Sequence, residues 1–315
     1  MTYLQLIIGL GLLLGSGEFL VRGSVGFARA VGLSPLFIGL TLVGFGTSAP
    51  ELVASLIAAF RDAPGIAVGN VVGSNIANVM LILGIAALIA PMPVSRQAFH
   101  RDAVALAAAS AVALAVVLLG SLTRLAGAVM VLLLLAYIYV SYVTERADLD
   151  GEAQRHEDEA AMRAPARRDG AVRFLLIALA ALVGVVIGAR LLVDSAIVLA
   201  HQFGVPETVI GLTVVAVGTS LPELAVSAIA AFRGQGAVAV GNVVGSNIYN
   251  VLGILGLTAL VHPLAVPPEI AHFDIWVLLG SAAALLYFMI GGRTIGRVAG
   301  GLLLAAYAAY VAWLF

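Results

Sequence analysis

The chain has 315 residues, 62% of them hydrophobic and 10% charged, with a mean hydropathy of +1.11 and a formal net charge of −1. A soluble domain is nearer half apolar and a quarter charged, so a water-soluble globule, a nucleic-acid binder and a disordered chain are excluded. There is no cysteine and no lysine, all 16 basic residues being arginine, which removes disulfides, thiolate metal sites, cysteine nucleophiles and P-loop or Schiff-base lysines.

A helix needs about 20 mostly apolar residues to span a bilayer. Such runs predict helices over 3–24, 35–60, 66–90, 103–120 and 125–144, then over 174–200, 207–232, 237–261, 274–291 and 297–315. The expected fold class is therefore an all-α polytopic membrane protein of ten transmembrane helices. Residues 1–144 and 174–315 form two five-helix halves. Between them, 145–173 holds 14 of the 33 charged residues and reads as a charged loop. Met1–Gln5 carries no positive charge, so the first run reads as a span and not as a signal peptide. Cytoplasmic loops favour arginine. With the N-terminus outside, thirteen arginines, among them Arg22, Arg96, Arg233 and Arg293, fall on the cytoplasmic side, and only Arg61 and Arg124 fall outside. Both termini are expected outside and the 145–173 loop in the cytoplasm.

The sequence matches itself at an offset of 172. Residues 46–84 (GTSAPELVASLIAAFRDAPGIAVGNVVGSNIANVMLILG) align without a gap to 218–256 (GTSLPELAVSAIAAFRGQGAVAVGNVVGSNIYNVLGILG), with 27 of 39 positions identical. Ile38–Thr41 extends the match to Ile210–Thr213. An odd number of spans per half makes the second copy enter the membrane from the opposite side. Inverted repeats of this kind are a signature of secondary transporters, with the substrate site near the midplane. A duplicated scaffold would preserve apolar character; this one preserves polar residues inside apolar helices.

Glu51 and Glu223 lie within their spans, where a carboxylate costs at least about 2.5–3.5 kcal/mol. Two equivalent carboxylates imply a cation between them. Thr47 and Ser48 share a helix side with Glu51, as Thr219 and Ser220 do with Glu223. Pro50 and Pro222 remove a backbone donor in the same turn, so carbonyls around Gly44–Thr47 and Ala216–Thr219 can turn toward a ligand. In the next helix Ser74 and Asn78 share a face, as do Ser246 and Asn250. Gly69 and Gly73, like Gly241 and Gly245, form a small-xxx-small face that allows close helix approach. Asn70, Asn75, Asn242 and Asn247 read as structural hydrogen bonders. Every candidate ligand is an oxygen, which suits calcium or sodium and disfavours softer metals. Two negative charges match one Ca²⁺, two Na⁺ or two protons, and competition for one pair of carboxylates is a physical basis for exchange.

These paired GTS-x-PEL … GNVVGSNI-x-N segments resemble the alpha repeats of the cation/calcium antiporter superfamily, and most closely those of prokaryotic sodium/calcium exchangers. The resemblance implies an antiporter of the inner membrane, not an enzyme, with Ca²⁺ and Na⁺ as substrates, the lipid bilayer as its surroundings, and no cofactor. It implies calcium ligation by Glu51, Glu223 and the carbonyls of Thr47 and Thr219. Hydroxyls of Ser48, Ser74, Ser220 and Ser246, with carbonyls at Gly44 and Ala216, then correspond to sodium ligands, and Asn78 to the polar residue near the middle site. Helices one and six correspond to a sliding gating bundle. At Asn250 several exchangers carry aspartate, so this chain has one fewer titratable group, which weakens a potassium-dependent reading. The proton-coupled branch typically carries a GNxxE-type motif, so sodium is favoured over protons.

Glu18 with Arg22, and Arg190 with Asp194, are opposite-charge i, i+4 pairs related by the same offset, with signs reversed. They read as local ion pairs, or as latches on the sliding helices. Asp102 and Asp274 read as N-caps. The histidines receive no role, and the charged loop lacks EF-hand spacing. A Ca²⁺/H⁺ antiporter is the alternative reading. A cation channel would need a ring of subunits around a pore, and no His-Asp, Ser-His or HExxH arrangement within the spans supports an intramembrane protease.

Overall fold

The computed structural model describes residues 2–30, 47–153 and 170–315. Its helices, in chain order, are α1 (Thr2–Ala30), α2 (Ala49–Phe60), α3 (Pro64–Ile89), α4 (Arg96–Leu118), α5 (Arg124–Ala153), α6 (Ala171–Phe203), α7 (Glu207–Thr219), α8 (Leu221–Phe232), α9 (Gly236–Val261), α10 (Ile270–Gly291) and α11 (Arg297–Leu314). Among the described residues, eight are long and apolar enough to cross a membrane, or nine spans if α7 and α8 count as one. The chain is a polytopic membrane protein.

Several boundaries differ from those expected. The helix predicted over 207–232 is two helices bent by 49° at Ser220, because Pro222 cannot donate the hydrogen bond that would continue the first into the second. Of the helix predicted over 35–60, the stretch up to 46, with Gly44 and Ile38–Thr41, lies outside the described residues. Helix α5 continues past 144 to Ala153, so the charged stretch begins as helix. The N-cap reading of two aspartates is corrected. Helix α4 starts at Arg96, which leaves Asp102 well inside it, and Asp274 makes no capping bond. Each aspartate instead accepts from a tyrosine hydroxyl, Tyr137 for Asp102 at 3.1 Å and Tyr310 for Asp274 at 2.8 Å.

Helices α3 and α9 are almost wholly buried, while α1, α5, α6 and α11 expose large apolar side chains such as Leu132, Leu176, Val183, Leu302 and Trp313. Glycine sets how closely the elements approach. A Cβ on Gly73 would lie 2.4 Å from the Leu212 carbonyl oxygen, and one on Gly69 would lie 2.9 Å from that of Thr208, so α7 runs backbone-to-backbone along α3. The sequence positions facing Gly241 and Gly245 at the same offset fall outside the described residues. Gly9 meets Gly188 and Gly23 meets Ala178, so α1 and α6 pack antiparallel. Gly127 abuts Gly256, and Gly300 abuts Gly84, so α5 packs on the end of α9 and α11 on the end of α3. Each half thus sends its last helix onto the other half. A short antiparallel pairing of Ser121–Leu122 with Leu264–Ala265, and a bridge between Met92 and Ile295, tie the same loops together.

Arg22 pairs with Glu18 as expected, and Arg190 lies 3.7 Å from Asp194. Asp194 is nearer to Arg61, at 3.1 Å, which joins α6 to the end of α2. At the offset of 172 the counterparts of Asp194 and Arg61 are Arg22 and Arg233, two like charges. Burial follows this asymmetry. Ala49 and Pro50 are buried and Ile57 is half-buried, whereas Leu221 and Pro222 are half-buried and Ile229 is exposed.

Gly73→Ala should lower stability by about 1–3 kcal/mol through overpacking, while Gly280→Ala, with nothing within 4 Å of its Cβ, should not lower it; thermal unfolding in detergent reads both. Because the chain has no cysteine, single cysteines can report access. A cysteine at Ile229 should react faster with a thiol reagent than one at Ile57, and Arg61→Gln should raise the rate at Ile57.

Candidate cation site

Two helix breaks create the site. Ser48 (φ −87°, ψ 6°) and Ser220 (φ −84°, ψ 7°) leave the helical region at equivalent points, just ahead of α2 and α8. Pro50 and Pro222 fit in the first turns that follow, where a helix has no use for their missing N–H. The same turns carry Glu51 and Glu223. A carboxylate in the first turn of a helix is favoured by the helix dipole, so each break places an acidic group where the local backbone supports its charge.

The carboxylates are 1% exposed and are held crosswise. Ser48 Oγ donates to Glu223 Oε1 at 3.1 Å, and Ser220 Oγ donates to Glu51 Oε1 at 2.9 Å. Each half therefore supplies the hydroxyl that positions the other half's acid. Oε2 of both glutamates is buried with no hydrogen-bond partner among the described residues. A buried carboxylate oxygen without a partner is costly.

The asparagines of the GNVVGSN segments brace this arrangement from behind. Asn70 Nδ2 donates to the Glu51 carbonyl at 3.1 Å and to Ser55 Oγ at 2.9 Å, and Thr219 Oγ1 lies 3.1 Å from Asn70 Oδ1. Asn242 repeats the first two bonds, to the Glu223 carbonyl at 3.3 Å and to Ser227 Oγ at 2.9 Å. The structural reading of these two asparagines thus agrees with their geometry. Ser55 and Ser227 carry a signal of their own in the sequence: each stands four residues after its glutamate and is identical in both copies.

The other expected residues divide. Ser74 Oγ reaches the Ala216 carbonyl at 3.4 Å, joining α3 to the end of α7. That carbonyl also accepts from the Ser220 N–H at 3.1 Å. Thr47 and Thr219 are buried beside the breaks. Asn78 Nδ2 donates to Asn247 Oδ1 at 3.0 Å, leaving Asn78 Oδ1 unpartnered. Ser246 Oγ and both amide atoms of Asn250 are buried with no partner among the described residues. Gly44 lies outside those residues. No group of three or more His, Cys, Asp or Glu side chains occurs among the described residues. The donor set is carboxylate, hydroxyl, amide oxygen and carbonyl, which suits a hard cation.

A family model described as sodium/calcium exchanger protein matches residues 1–143 and 173–315. The putative antiporter CaxA of Alkalimonas amylolytica is 36% identical over 98% of this chain and 97% of its own. The sodium/calcium exchanger MaX1 of Methanosarcina acetivorans is 35% identical over 100% of this chain and 98% of its own. Among solved structures, the sodium-calcium exchanger NCX_Mj soaked with Na⁺ and Sr²⁺ superposes with a TM-score of 0.67 at 32% identity, covering 99% of both chains.

Asn70→Ala should cost about 1–3 kcal/mol of stability, because it removes three buried hydrogen bonds, to the Glu51 carbonyl, Ser55 Oγ and Thr219 Oγ1. Asn242→Ala should cost less, since Asn242 is only part-buried; thermal unfolding in detergent without added ions compares the two.

Proposed function

The chain belongs to the sodium/calcium exchanger family, and from that membership we propose that it exchanges Ca²⁺ for Na⁺ by alternating access at a midplane site built around Glu51 and Glu223. The observation that carries this reading is the crossed pair of hydrogen bonds, Ser48 to Glu223 and Ser220 to Glu51, with the second oxygen of each carboxylate without a partner among the described residues. The self-match at an offset of 172 supports ten helices in two inverted five-helix repeats, 1–144 and 174–315, and the arginine bias supports a cytoplasmic 145–173 loop between them. Both termini then lie outside a prokaryotic inner membrane.

The mechanism follows from charge. The two glutamates carry two negative charges, which one Ca²⁺ neutralises. The Thr47 and Thr219 carbonyls complete its oxygen shell. Na⁺ ions, taking the Ser48, Ser74, Ser220 and Ser246 hydroxyls with carbonyls at Gly44 and Ala216, neutralise the same charges from separate positions. Asn78 and Asn250 supply neutral oxygens between them. The ions therefore compete, and the site is loaded with one kind or the other. Without a cation, two bare carboxylates would have to cross a low-dielectric barrier, at a cost of several kcal/mol per ion, which suppresses uncoupled leak. Asparagine at both middle positions leaves two acidic side chains to titrate, and no site for potassium is assigned.

In proteoliposomes loaded with Na⁺, ⁴⁵Ca²⁺ uptake should appear on dilution into Na⁺-free buffer. Glu51→Gln and Glu223→Gln should each reduce it to background. A stoichiometry of three Na⁺ per Ca²⁺ would make the uptake respond to membrane potential. Uptake driven by a pH gradient and indifferent to Na⁺ would replace this reading with a Ca²⁺/H⁺ antiporter. Unitary currents in planar bilayers would replace it with a channel.

A further inference from the structure

Between α3 and α9, two asparagine side-chain amides and one backbone carbonyl form a chain with a fixed direction. The Asn75 backbone carbonyl can only accept, and Asn247 Nδ2 donates to it at 3.4 Å. That bond turns Asn247 Oδ1 the other way, where it accepts from Asn78 Nδ2 at 3.0 Å. With its NH₂ committed, Asn78 has one polar side-chain atom left, Oδ1, which is buried and has no partner among the described residues. Amide orientations follow from the hydrogen-bond network, and this network begins at an atom whose role is not reversible.

The second half lacks such a chain. The counterpart of Asn247 at the offset of 172 is Asn75, and its side chain turns back to donate to Val71 of its own helix at 2.7 Å. Asn250, the counterpart of Asn78, is left with both amide atoms buried and without a partner among the described residues. One middle amide is held in a single orientation and the other is not.

We propose that Asn247 is a positioning residue for cation binding: it forces Asn78 to present an oxygen, never an NH₂, to the transported ion. The proposal rests on the exchanger reading of the same site. An amide oxygen attracts a cation, and an amide NH₂ in its place repels it. Loss of Asn247 therefore does not remove a ligand; it allows the ligand to turn around. Outer partners that orient metal ligands are typically worth 10–100-fold in affinity.

A double-mutant cycle tests this. Asn247→Leu is close in size to the wild-type side chain and cannot accept from Asn78. In proteoliposomes it should raise the half-saturating concentration of Ca²⁺ or of Na⁺ by roughly 10–100-fold, with the ion-free unfolding temperature little changed. Asn78→Asp presents an oxygen in either orientation. In an Asn78→Asp background, adding Asn247→Leu should therefore cost little affinity. An equal cost in both backgrounds would overturn the proposal, because Asn247 would then act through packing alone. No cost in either background would overturn it as well. Asn247→Ser, too short to reach Asn78, replaces the leucine variant if that one does not fold, with the same outcomes. Absence of Na⁺-driven exchange in the unmutated protein would instead count against the exchanger reading.

Discussion

Two carboxylates buried in an apolar bundle constrain most of what surrounds them. An isolated buried carboxylate is several kcal/mol out of balance. Each one here is eased by the first-turn dipole of a broken helix and by a serine from the opposite half of the sequence. The break needs proline two residues after the serine. The serine needs the two halves to meet face to face. The carbonyl of each glutamate needs an asparagine from the following helix, which fixes how α2 sits on α3 and α8 on α9. The crossed serine–glutamate bonds thus set helix breaks, helix pairing and the contact between halves together.

Meeting face to face also demands thin helices. Gly65, Gly69 and Gly73 let α7 run along α3 at backbone contact, which brings Ser74 to the Ala216 carbonyl and Thr219 to Asn70. Gly127 and Gly300 do the same where α5 and α11 cross onto the opposite half. In an apolar solvent close packing carries much of the association energy, because burying leucine against leucine gains little over burying it against lipid. This division of labour explains why α3 and α9 are buried and rich in glycine and asparagine, while α1, α5, α6 and α11 carry the exposed leucine, valine and tryptophan.

The near-repeat of the sequence does not produce equal halves. Arg61 and Asp194 attract where Arg22 and Arg233 stand at the matching positions. Asn247 reaches across to the other half where Asn75 turns back on its own helix. Asn70 bonds the Glu51 carbonyl, Ser55 and Thr219, tying α3 to α7 as well as to α2. For an exchanger such inequality has a physical use, since two access states of identical halves would be equal in energy. Differences of one ion pair or one amide orientation shift that balance.

The sequence by itself determined the membrane class, most helix positions and the equivalence of Glu51 and Glu223 in two matched segments rich in oxygen-bearing residues. These depend on local composition and on a gapless self-match, both legible in one dimension. Tertiary structure decided which serine serves which acid, which asparagine faces inward and which braces the helices, and where α5 and α11 dock. The Asp102–Tyr137 and Asp274–Tyr310 pairs show why. The aspartates are 172 residues apart, but the tyrosines are 173 apart, and a one-residue shift hides the relation from the alignment. Hydrogen-bond partners chosen across the bundle depend on distances between elements far apart in the chain, and residue spacing along the chain carries no record of them.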